Sequence, residues 1–250
     1  MQTLRPQAKV DKSEALRRTE LFSCLPEDVL HKVAGLATVR RLDRGEMLYS
    51  EREEATGLFI VAVGKLRSIR EGVGGREQVL SMECSGATLS EASVFGGGQY
   101  FSTVLAETPS VVLCIHHNEV RRICDEHPQL LWKVAKVLSG RVRLYAELIE
   151  SLALRNVDQR LALFLLGFLD DRAAGTRGPV EFELPFTRSE IATRIGSVRE
   201  VVSRSLSHFH EIKLIDMRGK RLVVVPDVQA LREFAGAIHG THPFTSLALK

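Results

Sequence analysis

Between Pro128 and Leu154 the chain has no internal proline, and Leu131, Ala135, Leu138, Val142, Tyr145, Ile149 and Leu152 recur at spacings of 4, 3, 4, 3, 4 and 3. That is the a/d repeat of a coiled-coil seam, held for about three heptads. A second apolar stripe (Leu130, Val134, Val137, Leu144, Leu148) lies on a neighbouring face. A helix with two apolar faces must be covered twice. The reading that meets this need is a domain of the same chain on one face and a second copy of the helix on the other. A parallel homodimer with the seven seam residues at its two-fold axis is therefore predicted, a monomer's core helix being the alternative.

The segment from about 38 to 116 supplies the domain. Short β-rich runs at Leu58 to Val63, Gln78 to Met82, Ser102 to Leu105 and Ser110 to Ile115 alternate with glycines. Many short strands with glycine turns predict an antiparallel barrel or roll. The lack of a βαβ alternation disfavours a Rossmann-type site.

Beyond the long helix, Asn156 to Asp171 reads as another helix, and the boundary between domains is expected near Arg155-Asn156. A terminal hairpin (Leu214 to Ile215, Leu222 to Val225) follows two further helices. Residues 185–225 hold eight Lys/Arg against four Asp/Glu, a local +4 that exceeds the +3 of all 250 residues. Within them, Thr187 to Glu190 forms a T-x-x-E capping box that starts a helix. Gly196 ends that helix, and Ser197 is placed to cap the next. Val198, Val201, Val202 and Leu206 then face inward, and Arg199, Glu200, Ser203 and Arg204 outward. Two helices about a glycine turn, with arginines on the exposed face, predict a DNA-binding helix-turn-helix. An αα-corner with solvated charges is the bland alternative.

Other classes fall away. A composition of 44% hydrophobic and 26% charged residues describes a soluble globular chain, and its length favours two domains. No run approaches 18 apolar residues, and the first twenty lack a signal core. A cytoplasmic location without a membrane is expected. No G-x-S-x-G, H-E-x-x-H or P-loop motif appears, so no enzyme is expected. Cys24, Cys84, Cys114 and Cys124 form no C-x-x-C pair and read as small, buried or half-buried apolar residues. A redox or metal sensor would need their thiolates gathered in space.

Three stretches resemble the CRP/FNR family of transcription regulators: Leu42 to Glu46 continuing through Leu58 to Leu66, Gly86 to Ser102, and Thr187 to Leu206. The first two are similar to parts of a cyclic-nucleotide-binding-type β-roll. The third is similar to the family's helix-turn-helix, with its R-E-x-x-x-R face. The resemblance implies an α+β chain: an N-terminal antiparallel β-roll (jelly-roll-like), a long dimerisation helix and a C-terminal winged helix-turn-helix. The domains would be an arm (1–20), a sensor roll (21–127), the dimerisation helix (128–155), the DNA-binding domain (156–240) and a tail (241–250).

The resemblance also implies residue roles. Arg199, Glu200 and Arg204 match base-reading positions, and a TGTGA-like palindromic half-site follows. Thr187, Arg188 and Ser203, with Arg218, Lys220 and Arg221 of the wing, would lie near backbone phosphates. RNA polymerase is implied as a partner. A regulatory module controlling an enzyme is the rival reading.

The expected effector pocket comprises Leu89, Ser90, Glu91, Phe101, Ser102 and Tyr145. Cyclic AMP binders of the family place Gly-Glu and Arg-Ser around ribose and phosphate. Here Ser90-Glu91 and Phe101-Ser102 stand in those places, and Tyr145-Ala146 replaces the pair that reads adenine. With Phe101 in place of the phosphate-pairing arginine, cyclic AMP is disfavoured. An iron–sulfur cluster needs several N-terminal cysteines, and only Cys24 stands there. Haem would have to use His31, His116, His117 or a cysteine, and lone histidines are more often surface residues. Arg52 takes the place of a glycine usual after the first strands, which predicts a differently shaped hairpin.

Overall fold

A computed structural model describes residues 10–169, 178–219 and 221–236. The chain divides into two compact units. One holds the described residues up to Arg70 together with Ser81–Arg143, and the other holds Glu71–Leu80 together with the described residues from Leu144 onward. The boundary expected at Arg155-Asn156 therefore falls inside the second unit.

In chain order the elements are α1 (Lys12–Arg17), α2 (Glu27–Leu36), β1 (Thr38–Leu42), β2 (Met47–Tyr49), β3 (Gly57–Val63), β4 (Lys65–Glu71) and β5 (Glu77–Cys84). They continue with β6 (Thr88–Leu89), α3 (Glu91–Gly96), β7 (Thr103–Ala106), β8 (Ser110–His116), α4 (His117–Glu126) and α5 (Gln129–Leu154). The last are α6 (Val157–Leu166), β9 (Val180–Glu183), α7 (Arg188–Ile195), α8 (Arg199–Glu211), β10 (Asp216–Arg218), β11 (Leu222–Val225) and α9 (Val228–Ala235).

The strands of the roll form two four-stranded sheets, β1-β8-β3-β6 and β2-β7-β4-β5. The register sets Phe59 opposite Cys114, and Leu66 opposite Ala106. Strand β3 shows why the fold holds. Its side chains alternate: Leu58, Ile60 and Ala62 enter a cluster with Leu16, Phe22, Leu30 and Leu130, while Phe59 and Val61 enter a second cluster with Tyr49, Leu66, Tyr100 and Val104. Period-2 geometry thus gives one strand two cores, which explains its unbroken apolar run. The second cluster draws on both sheets, and the first joins β3 and β8 to α1, α2, α4 and α5.

Three details of the first unit bear on the expectations. Of the loose arm or lone helix predicted for residues 1–20, the described part holds helix α1, capped by Asp11, with Leu16 wholly buried. Cys24 is exposed, whereas Cys84 and Cys114 are half-buried and Cys124 is buried. Burial pushes the Cys114 and Cys124 thiols up from their ordinary values, away from thiolate character. Arg52 itself adopts the left-handed conformation (φ 69°) that a glycine would, with its N–H donating to Tyr100 O at 2.8 Å.

In the second unit α6, α7, α8 and α9 surround a three-stranded sheet, β10-β11-β9. Phe168 stacks on Phe182 at 5.1 Å between ring centroids, and Phe209 meets Phe234 edge-on at 5.2 Å. Helix α6 ends at Leu166 with Gly167 as its cap, short of the expected Asp171, which lies outside the described residues. The first wing strand begins at Asp216, after Leu214 and Ile215, which are buried in the core. Helix α9 was not expected; Asp227 caps it, and Leu231 and Ala235, one turn apart, are buried. The expected tail, 241–250, lies outside the described residues.

Candidate nucleic-acid interface

Helix α7 begins as predicted. The Thr187 hydroxyl accepts from Glu190 N at 3.2 Å, and the Glu190 carboxylate accepts from Thr187 N at 2.7 Å. Gly196 closes the helix in the left-handed region (φ 68°). A Cβ there would come within 2.6 Å of Leu152 Cδ2, which the leucine can yield by moving, so the left-handed backbone is what calls for glycine. Ser197 does not cap the next helix. The N-cap is Val198, without a side-chain bond, and Ser197 is buried.

Helix α8 buries Val202, Ser205, Leu206 and Phe209, while Arg199, Glu200, Ser203 and Arg204 are exposed as predicted. The structure sorts these cations into two clefts. Arg199 shares a cleft of about 620 Å³ with Phe186, Thr187, Arg188, Ser189, Gly219 and Arg221. Arg204 lines another of about 460 Å³ with Asp158, Val201, Ser205, Ser207, His208 and Glu211.

Their charges are differently committed. Arg188, Arg199 and Arg204 pair with no carboxylate among the described residues, whereas Arg218 contacts Glu181 at 3.2 Å and Arg221 contacts Glu183 at 3.9 Å. Burial lowers the affinity of Arg188 for its proton without threatening its charge. Three guanidiniums, two hydroxyls and a bare glycine around one cleft constitute an anion seat. Lys220 lies outside the described residues. Arg194 was not singled out from the sequence. It is wholly buried, 4.0 Å over the ring of Phe186, and it donates to Glu190 O at 2.9 Å.

Along α5 the expected seam is mostly bare. Leu131, Ala135, Val142 (67% exposed) and Ile149 (66%) face outward, whereas Leu138 and Tyr145 are half-buried. Leu138 packs beside the first core cluster, and Leu152 packs at Gly196. The second stripe divides as expected, with Leu130, Val134 and Leu148 buried.

In the roll, Leu89 belongs to the second core cluster. Ser90 takes a left-handed conformation (φ 70°), costing a side-chain residue roughly 1 kcal/mol, and its hydroxyl is fixed to Gly57 O at 2.7 Å. Glu91 accepts from the Thr88 hydroxyl, and Ser68 donates to Ser102 at 2.7 Å. Phe101 is 37% exposed, and its carbonyl accepts from Arg70. Tyr145 falls in the second unit. The side chains of Ser90, Glu91 and Ser102 are thus hydrogen-bonded within the roll. No group of three or more potential metal ligands occurs among the described residues. His116 and His117 instead face one another at 4.2 Å between ring centroids.

A β-roll followed by a helix-turn-helix with an exposed cationic face defines a DNA-binding transcription regulator. A cyclic nucleotide-binding domain matches residues 39–127, and a Crp-like helix-turn-helix domain matches residues 159–234. The fumarate and nitrate reduction regulatory protein of Escherichia coli is 25% identical over 195 residues, 78% of this chain and 77% of that protein. The cAMP-activated global transcriptional regulator CRP of Salmonella typhimurium is 29% identical over 178 residues, 71% and 84% of the two chains. FixK2 of Bradyrhizobium japonicum superposes with a TM-score of 0.63 at 25% identity, covering 79% of this chain and 96% of its own. The chain belongs to the CRP/FNR family of transcription regulators. No helix among the described residues is long and apolar enough to cross a membrane.

Proposed function

We propose that the protein acts in the cytoplasm as a homodimer, joined along α5, that reads a palindromic duplex with TGTGA-like half-sites and meets RNA polymerase there. The exposed Arg199 and Arg204 on α8 and the half-buried Arg188 beside it, none of them paired with a carboxylate among the described residues, carry this reading. Arg199, Glu200 and Arg204, at i, i+1 and i+5, span about 140° of helix surface, within the arc that a major groove admits. An arginine forks onto guanine O6 and N7, and a glutamate accepts from cytosine N4. Thr187, Arg188, Ser203 and the wing residues Arg218, Lys220 and Arg221 take backbone phosphates. Sharing a cleft with Arg188 and Arg221 puts Arg199 at the border between the two roles. Cyclic AMP is not the effector in this reading, because Phe101 stands where the family resemblance puts the arginine that would pair with its phosphate.

Selection from a random duplex library tests the proposal. Recovery of a palindrome with half-sites about one helical turn apart is expected. Binding without sequence preference, or to a single half-site by a monomer, would refute it.

A further inference from the structure

The second apolar stripe on α5 has one gap. Leu130, Val134, Val137, Leu144 and Leu148 keep the 4-3 spacing only if position 141 is counted, and that position holds an arginine. At 100° per residue Arg141 lies within the stripe and about 70° from the centre of the seam. It is the charged member of an otherwise apolar face.

The first unit shows where the charge goes. Nη1 of Arg141 pairs with Glu83 and approaches Ser81 Oγ at 3.5 Å, while Nη2 donates to Thr88 O at 2.8 Å and lies 4.0 Å from Glu91 Oε2. The side chains of Arg141, Glu83 and Glu91 are only 19%, 8% and 4% exposed. Glu83 continues the inward face of β5 after Val79 and Ser81, so that face passes from apolar to hydroxyl to carboxylate where the arginine arrives. A buried ion pair of this kind adds little stability over an apolar replacement, and its best-attested use is to fix the register of packed elements.

We propose that Arg141 is the roll's built-in ligand. Its guanidinium fastens α5 to β5 and β6 in one rotational setting, which presents Leu131, Ala135 and Val142 outward without a small-molecule effector. Arg141 is thus a positioning residue for the dimer seam. The proposal rests on the dimeric, DNA-binding reading above.

The full-length chain, shown ligand-free by native mass spectrometry, is compared with Arg141→Met and with the Glu83→Gln/Arg141→Met pair. Sedimentation equilibrium, binding to the selected duplex with and without cyclic AMP, and Tm are measured. The ligand-free native chain is expected to dimerise and bind DNA, unchanged by the nucleotide. Arg141→Met strands a buried carboxylate and should lower Tm while raising the dimer dissociation constant at least tenfold. The paired variant removes the two charges of the close pair, leaves Glu91 bonded to the Thr88 hydroxyl, and should recover most of the lost Tm but neither dimerisation nor DNA affinity, a split that a merely structural role would not give. Recovery of all three by the paired variant overturns the proposal and leaves the dimer reading intact. So does a native chain that dimerises only when a small molecule is added. A native chain that stays monomeric and ignores DNA under every condition defeats both readings.

Discussion

The roll and the helix-turn-helix place their polar chemistry in opposite directions. In the roll, Ser90, Glu91, Ser102 and Arg141 all bond inward, to Gly57, Thr88, Ser68 and Glu83. On the helix-turn-helix, Arg188, Arg199 and Arg204 have no carboxylate partner among the described residues. Polar groups bonded internally fix a shape, whereas charges left unpaired at a surface await an oppositely charged partner. The contrast supports recognition by the helix-turn-helix and the proposed positioning role of Arg141 in the other unit.

The strongest way to break that contrast is to uncouple the two copies. Val142→Asp with Ile149→Asp sets charge into the seam and should give monomers. A monomer holds one half-site and loses the effective concentration of the second, so DNA affinity should fall about 100-fold or more. Sedimentation and a binding isotherm check this; a doubly substituted dimer would place the interface elsewhere.

Next in size is the reading face. Arg204→Ala should cost about 1–3 kcal/mol and relax choice at one guanine. Glu200→Ala should cost less affinity while loosening choice at its own base pair. Arg188→Ala should weaken all sequences alike and lower the salt slope by about one. Library selection with each variant separates these outcomes, and a sequence-independent loss for Arg204→Ala would move it onto phosphate.

A smaller effect belongs to the cap beneath that face. Thr187→Ala removes the bond from Glu190 N and should destabilise the domain by about 1 kcal/mol, measurable by denaturant unfolding. An unchanged midpoint would show that packing alone sets α7.

The smallest effect lies inside the roll. Burial first, and Glu91 next, raise the Tyr49 hydroxyl well above its ordinary value, so the folded chain keeps that proton to higher pH than the unfolded chain does. Its contribution to stability is therefore complete below about pH 10 and is lost as pH rises further. Tyr49→Phe should remove that part of the alkaline loss. Identical alkaline slopes for the two chains would show that the hydroxyl is not held neutral by its surroundings.

Periodicity made most of this architecture legible. The heptads gave α5, alternation and glycines gave the roll, and the T-x-x-E box with Gly196 gave the helix-turn-helix. What escaped was set by long-range contact. Ser197 fits the cap position by type, yet it is buried, and the chain turns one residue later at Val198. Leu152 satisfies the seam spacing, yet it packs at Gly196. Arg141 left a visible gap in the second stripe, but its carboxylate partner lies far off in sequence on β5. The pocket residues follow from similarity alone, which does not disclose that the Ser90 hydroxyl is bonded to Gly57 O and that of Ser102 to Ser68.

Strand β8 lies between β1 and β3 in its sheet, joining segments that precede it by most of the roll's length. While the chain emerges from the ribosome, β3 therefore has apolar side chains on both faces and no neighbour for one edge until His116 has been synthesised. Closure of such distant pairs is slow, and an unpaired apolar strand invites aggregation. A stalled or truncated product ending before β8 would thus be a hazard rather than a smaller working domain, and its clearance would fall to chaperones and proteases.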